Sequence, residues 1–113
     1  MPTVFVIGED WTLRGLVRAE LREHGIEALG METPDDAARA VAAGTLPSAV
    51  VLDATPLGGA PDALELLPRG VPVLVVTSPG ALAPPGAAAV LCKPVRVGEI
   101  VAGVENLLKG LAA

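Results

Sequence analysis

The stretch Ala49-Val50-Val51-Leu52-Asp53 constrains this chain more than any other: an unbroken apolar run that ends abruptly in a carboxylate. A short apolar run bounded by turn residues reads as a strand buried on both faces, the kind found in the middle of a parallel sheet. Pro47 and Ser48 precede it, and Thr55, Pro56, Gly58 and Gly59 follow it. An acid placed where such a strand leaves the sheet lies in the crevice at the carboxyl edge, where open α/β sheets bind their ligands.

Three more runs have the same character. Thr3-Val4-Phe5-Val6-Ile7-Gly8 leads into Glu9 and Asp10; Val71 to Thr77 carries its proline, Pro72, near the start; Ala89-Val90-Leu91-Cys92 ends at Lys93-Pro94. Ile26-Glu27-Ala28-Leu29 is shorter and half polar, as expected of a strand near an edge. Between the strands the apolar period changes to that of a helix. Leu13, Leu16, Val17 and Leu21 form one stripe with charges between them, Asp10 or Thr12 can cap its start, and Gly25 can stop it. Thr33-Pro34-Asp35-Asp36 is a helix start with a cap, a proline at the first position and acids on the positive end of the dipole. That second helix runs to Gly44, and Ile100, Val101, Val104, Leu107, Leu108 and Leu111 mark a last one. Asp62 to Leu67 has room only for a short helix, and Ser78 to Gly86 holds three prolines and two glycines, which disfavour any regular helix. Strands alternating with helices predict βαβ units and an α/β fold. Right-handed crossovers give a doubly wound five-stranded parallel sheet in the order 2-1-3-4-5.

At 113 residues, half of them hydrophobic, the chain is expected to form a single domain spanning 1–113 with a core that needs no staple. One cysteine excludes an internal disulfide and a Cys-based zinc cluster. Eight basic against thirteen acidic residues give a net charge of −5, which argues against nucleic acid as this domain's partner. No apolar run reaches the roughly 20 residues that span a bilayer, so membrane insertion is not expected, and the reading is a soluble cytoplasmic protein. One histidine cannot assemble a Ser/His/Asp or metal–His grouping, so no independent enzyme is expected.

In that order the core strands deliver Glu9/Asp10, Asp53, Thr77/Ser78 and Lys93 to one edge of the sheet. Carboxylates flanked by a hydroxyl and an ammonium suit phosphate chemistry on a hard metal, because Mg²⁺ takes one or two carboxylates and fills its remaining positions with water and phosphate oxygens. A carboxylate nearby can act as nucleophile and form an acyl phosphate, with lysine and hydroxyl stabilising the transferred group.

On these residues the chain resembles the receiver domains of two-component response regulators, almost from end to end. Gly8-Glu9-Asp10-Trp11-Thr12-Leu13-Arg14 stands where that family has an acidic cluster, a proline and a Leu-Arg pair. Val50-Val51-Leu52-Asp53 matches the phosphoacceptor strand, Val73 to Ser78 the strand with the switch hydroxyl, and Leu91-Cys92-Lys93-Pro94 the Lys-Pro signature. The resemblance implies a flavodoxin-like fold in which Asp53 accepts a phosphoryl group from a sensor histidine kinase or phosphotransfer protein, for readout by a downstream protein partner. It implies that Glu9 and Asp53 hold Mg²⁺ with the backbone carbonyl of Thr55, Asp10 being at most a weak ligand. Thr77 would bond a phosphoryl oxygen and Lys93 would pair with it.

The departures are equally specific. Gly8 replaces the first acid, Val90 the switch aromatic, and Pro56 precedes the place, Leu57, where the family has its proline. The segments 55–70 and 78–86 are each about six residues short, nearly two helical turns at ~1.5 Å per residue. A shortened third helix and a reduced or missing fourth are therefore expected. A pseudo-receiver that docks protein partners without phosphorylation is the alternative reading. A small flavodoxin-like nucleotide or cofactor carrier is a distant one, since no glycine-rich phosphate loop exists. Of the remaining residues, Cys92 reads as a small buried hydrophobe, His24 has no assigned role, and Trp11 either covers the site or faces a partner, or packs on the first helix.

Overall fold

A computed structural model of the chain describes residues 1–54 and 63–112. Its elements follow the alternation read from the sequence: β1 (Thr3–Ile7), α1 (Trp11–Glu23), β2 (Glu27–Met31), α2 (Pro34–Ala42), β3 (Ala49–Asp53), a 3₁₀ turn (Ala63–Leu66), β4 (Val73–Thr77), β5 (Ala89–Cys92) and α3 (Val97–Ala112). The five strands form one parallel sheet in the order β2-β1-β3-β4-β5, the expected doubly wound arrangement. Among the described residues, the segment read as a shortened third helix holds a 3₁₀ turn, Ala63–Leu66. No fourth helix forms: residues 78–88 between β4 and β5 are turns and irregular chain.

Side chains alternate across the sheet and build two cores, since successive residues of a strand point to opposite faces. On one face Val4, Val6, Val51, Leu74 and Val76 pack with Val17 and Leu21 of α1 and Ile100, Val101 and Val104 of α3. On the other, Phe5, Ile7, Val50, Leu52, Val73 and Val75 pack with Ala37 of α2 and with Ala63 and Leu67 around the 3₁₀ turn. This second face has the thinner cover, and it runs out at β5. Val90 is 46 % exposed there and Cys92 is exposed as well. The expected burial of Cys92 is thus wrong. An apolar strand residue is buried only if something covers its face, and the proline-rich segment before β5 supplies no helix to do so.

The helix ends are specified locally. Asp10, not Thr12, caps α1, its Oδ1 accepting from the backbone N–H of Thr12 (3.0 Å) and Leu13 (3.2 Å). Gly25 follows the helix at φ +76°, a conformation that side chains with a Cβ disfavour. At α2, Thr33 and Asp36 form a reciprocal capping box with Pro34 in the first turn. A hydrogen bond from Arg39 holds the Asp36 carboxyl below its ordinary range, and the Thr33 contacts push in the same direction. A carboxylate whose folded-state pKa is depressed stabilises the fold above its unfolded value, and that contribution disappears as pH falls through the folded value. Thr33→Ala removes the N-cap hydroxyl that accepts from the Asp36 N–H, and is expected to cost about 0.5–2 kcal/mol in urea denaturation at neutral pH. The deficit should shrink as pH falls from the ordinary aspartate range down through the lower folded-state value, where the Asp36 carboxylate takes up its proton.

The margins of the sheet differ. Glu27 N–H donates to the Pro2 carbonyl and Gly8 N–H to the Met31 carbonyl, both at 2.9 Å, so alternate residues of β2 face β1. The Ala28 carbonyl faces outward and accepts from Arg18 Nε and Arg22 Nη2, each at 3.4 Å. Gly30 permits this arrangement, because a Cβ there would lie 2.8 Å from Arg18 Cδ and 3.2 Å from Arg14 Cδ. β5, at the other margin, carries no charged residue, and no described strand lies beyond it.

Candidate functional site

Parallel register brings the polar ends of four strands together. Ile7 pairs with Leu52, Asp53 with Val76 and Thr77 with Cys92, so Gly8, Asp53, Thr77 and Lys93 arrive at the carboxyl edge of neighbouring strands. Asp53 closes β3 and is 5 % exposed. Lys93 leaves β5 through a backbone bond from its N–H to the Thr77 carbonyl at 2.7 Å, and the peptide that follows it, to Pro94, is cis. Its Nζ lies 3.2 Å from Asp53 Oδ2, an ion pair between residues 40 apart in the chain. Thr77 is also 5 % exposed, and its Oγ1 is buried without a hydrogen-bond partner among the described residues. A buried hydroxyl left unbonded costs about 1–3 kcal/mol, which an acceptor oxygen at this edge would recover.

The sequence-predicted residues separate here. Asp53, Thr77 and Lys93 meet at one rim. Glu9 is exposed in the loop after β1, and the side chain of Asp10 is engaged as the cap of α1. The Thr55 carbonyl, together with Pro56 and Leu57, lies outside the described residues. Trp11 is 74 % exposed at the start of α1. His24 closes α1 with its ring nitrogens 3.5 Å from Glu20 and 3.4 Å from Glu105, a contact that ties α1 to α3 away from the site.

Gly8 is buried against the acid: a Cβ built on it would lie 3.0 Å from Asp53 Cβ. Its carbonyl accepts from Arg14 Nη1 at 2.5 Å. Arg14 is a participant that reading the residues for chemistry missed. The available signal was the spacing of Arg14, Arg18 and Arg22 at four-residue intervals, which puts three guanidinium groups on one side of α1 beside β2.

These groups suit a tetrahedral oxyanion better than a divalent cation. An ammonium and a free hydroxyl are donors for phosphoryl oxygens. Mg²⁺ requires carboxylates and oxygens in near-ideal octahedral order. Among the described residues no group of three Asp, Glu, His or Cys side chains converges. With position 8 bare and Asp10 capping α1, Glu9 and Asp53 are the carboxylates left of the expected ligand set, and the Thr55 carbonyl lies outside the described residues.

Solved structures of response-regulator receiver domains share this fold over nearly their whole length. One from Francisella superposes with a TM-score of 0.81 at 18 % identity, covering 98 % of this chain and 99 % of the other. One from Clostridium thermocellum gives 0.79 at 19 % identity with both chains fully covered. A response regulator receiver protein from Burkholderia phymatum gives 0.76 at 24 % identity, with 96 % of each chain covered. The architecture is therefore the flavodoxin-like receiver fold, with the third helix reduced and the fourth replaced by turns. No protein-family model matches the chain, and no curated protein matches it in sequence. Among the described residues no helix is long and apolar enough to cross a membrane.

Proposed function

We propose that this chain is a receiver domain of a cytoplasmic two-component phosphorelay and that Asp53 accepts the phosphoryl group from a histidine kinase or phosphotransfer protein. The observation that carries the reading is the grouping of a buried strand-end carboxylate, an ammonium 3.2 Å away and a buried hydroxyl with no hydrogen-bond partner among the described residues. An Asp53 carboxylate oxygen attacks phosphorus, the P–N bond to the donor imidazole breaks, and the departing nitrogen takes up a proton. The product is an acyl phosphate on Asp53. Lys93, released from its pairing with the carboxylate, moves to a phosphoryl oxygen, and Thr77 donates its hydroxyl to another. Every bond of this step is made by the chain and its donor, so the protein's part is to hold charge and geometry, and a downstream protein partner reads the change.

Exposing the whole protein to phosphoramidate or acetyl phosphate and measuring intact mass tests the reading. The expected result is one added phosphoryl group, absent from Asp53→Asn. No adduct with either donor would remove the proposal. The uncovered β5 surface around Val90 favours a second reading, in which the same fold docks a protein partner without phosphorylation. Under that reading Asp53→Asn would leave partner binding unchanged.

A further inference from the structure

We propose that a cavity at the amino end of β4 and β5 is a second binding site, and that it takes a small zwitterion with an apolar body, a free apolar amino acid or a short apolar peptide. The cavity measures about 580 Å³ and lies at the opposite end of the sheet from Asp53. Sites that hold small molecules run from roughly 300 to 1,000 Å³. Leu67 and Val73, each 5 % exposed, line it together with the half-buried Leu64 and Val71. Glu65 and Arg69 line it too, and among the described residues no ion pair holds either one.

The sequence leaves this space open. Pro68 has no N–H with which to prolong the 3₁₀ turn, and Arg69-Gly70 turns the chain back into β4. Pro85-Gly86 makes the corresponding turn ahead of β5, and residues 78–88 form no helix that could fill the gap between the two turns. The two segments meet along one side, where a Cβ on Gly86 would stand 3.7 Å from Leu64 Cδ1. A lining of leucine and valine favours taking an apolar body out of water. The two charged residues then select among apolar bodies. A ligand with one charge of either sign meets either Glu65 or Arg69 as a like charge, whereas a zwitterion answers both. Its carboxylate suits the forked donors of the guanidinium, and its ammonium suits the glutamate. Both side chains are exposed, so neither has a buried partner to give up when a ligand arrives.

Calorimetric titration of the whole protein with leucine and with leucyl-leucine, through the millimolar range, tests this without reference to the role of Asp53. Saturable binding of at least one is expected, and the tighter of the two tells amino acid from peptide. Heats that saturate with neither overturn the inference. The N-acetyl derivative of the tighter binder lacks the ammonium, and its amide lacks the carboxylate. Each is expected to bind roughly tenfold more weakly, the scale of one hydrogen bond to a charged group. Equal affinity for all three shows that charge is not read and overturns the zwitterion. Glu65→Gln and Arg69→Gln, both at exposed positions, should each cause a similar loss, and unaltered affinity in both variants counts against the proposal. Val71→Phe, which narrows the cavity and keeps both charges, should abolish binding with the circular dichroism spectrum unchanged. A folded Val71→Phe protein that binds like the parent moves the ligand out of this cavity and overturns the assignment. Asp53→Asn should bind as the parent does, and a loss there would place the ligand at the carboxyl edge instead.

Discussion

Replacing Lys93 with methionine is expected to cost about 1.5–3 kcal/mol of folding stability, the range for a hydrogen bond to a charged group. The side chain of Asp53 is 6 % exposed and that of Lys93 29 %, so the pair is largely shielded from water on the acid's side and partly open on the amine's. Removing the ammonium leaves a carboxylate in a poorly solvated place, which is why breaking one member of a buried pair is costly while replacing both is often neutral. The double variant Asp53→Asn/Lys93→Met should thus recover most of the loss, and a double-mutant cycle in urea measures the coupling. A Lys93→Met protein as stable as the parent would show that the pair contributes nothing. In the labelling assay the same substitution should lower the rate roughly a hundredfold, as expected when a preorganised donor to the transferring group is removed.

The largest effect on stability alone is expected at Phe5. It is fully buried on the sheet face covered by α2 and the 3₁₀ turn. It is also the chain's one phenylalanine, there is no tyrosine, and the one tryptophan is exposed, so no other ring fills this core. Phe5→Ala removes the ring from beneath a thin cover that has little to collapse with, at a cost of about 3–5 kcal/mol. Against a total stability of roughly 5–15 kcal/mol, that brings a chain of this size close to unfolding. Thermal denaturation followed by circular dichroism should show a fall in Tm of more than about 10 °C. A smaller drop would mean that α2 and the 3₁₀ turn close over the space.

Much of this was readable from the residues, and the reasons are physical. Runs such as Val73 to Thr77 have one reading because a strand buried on both faces needs apolar residues at every position. Once the strands and their right-handed crossovers are fixed, the meeting of Asp53, Thr77 and Lys93 follows from topology. Contacts set by side-chain reach were less legible. The carboxyl of Asp10 can cap a helix or bind an ion, and only its distance to Thr12 and Leu13 decides between them. Arg14 reaches Gly8 along a long flexible stem that no spacing rule fixes. Cys92 was misjudged because strand alternation reports the face on which a residue lies, while burial depends on what covers that face.

The arginines laid along β2 bear on how copies of this molecule can associate. Side-chain donors occupy the outward Ala28 carbonyl on that side, so an incoming strand would have to displace them. β5 remains the one margin without such a seal among the described elements. Two copies joined there about a two-fold axis would each consume that margin, and growth would end at the pair. A sheet with a single adhesive border can form a closed couple but cannot propagate into a fibre, a safeguard that most sheets obtain by protecting both sides.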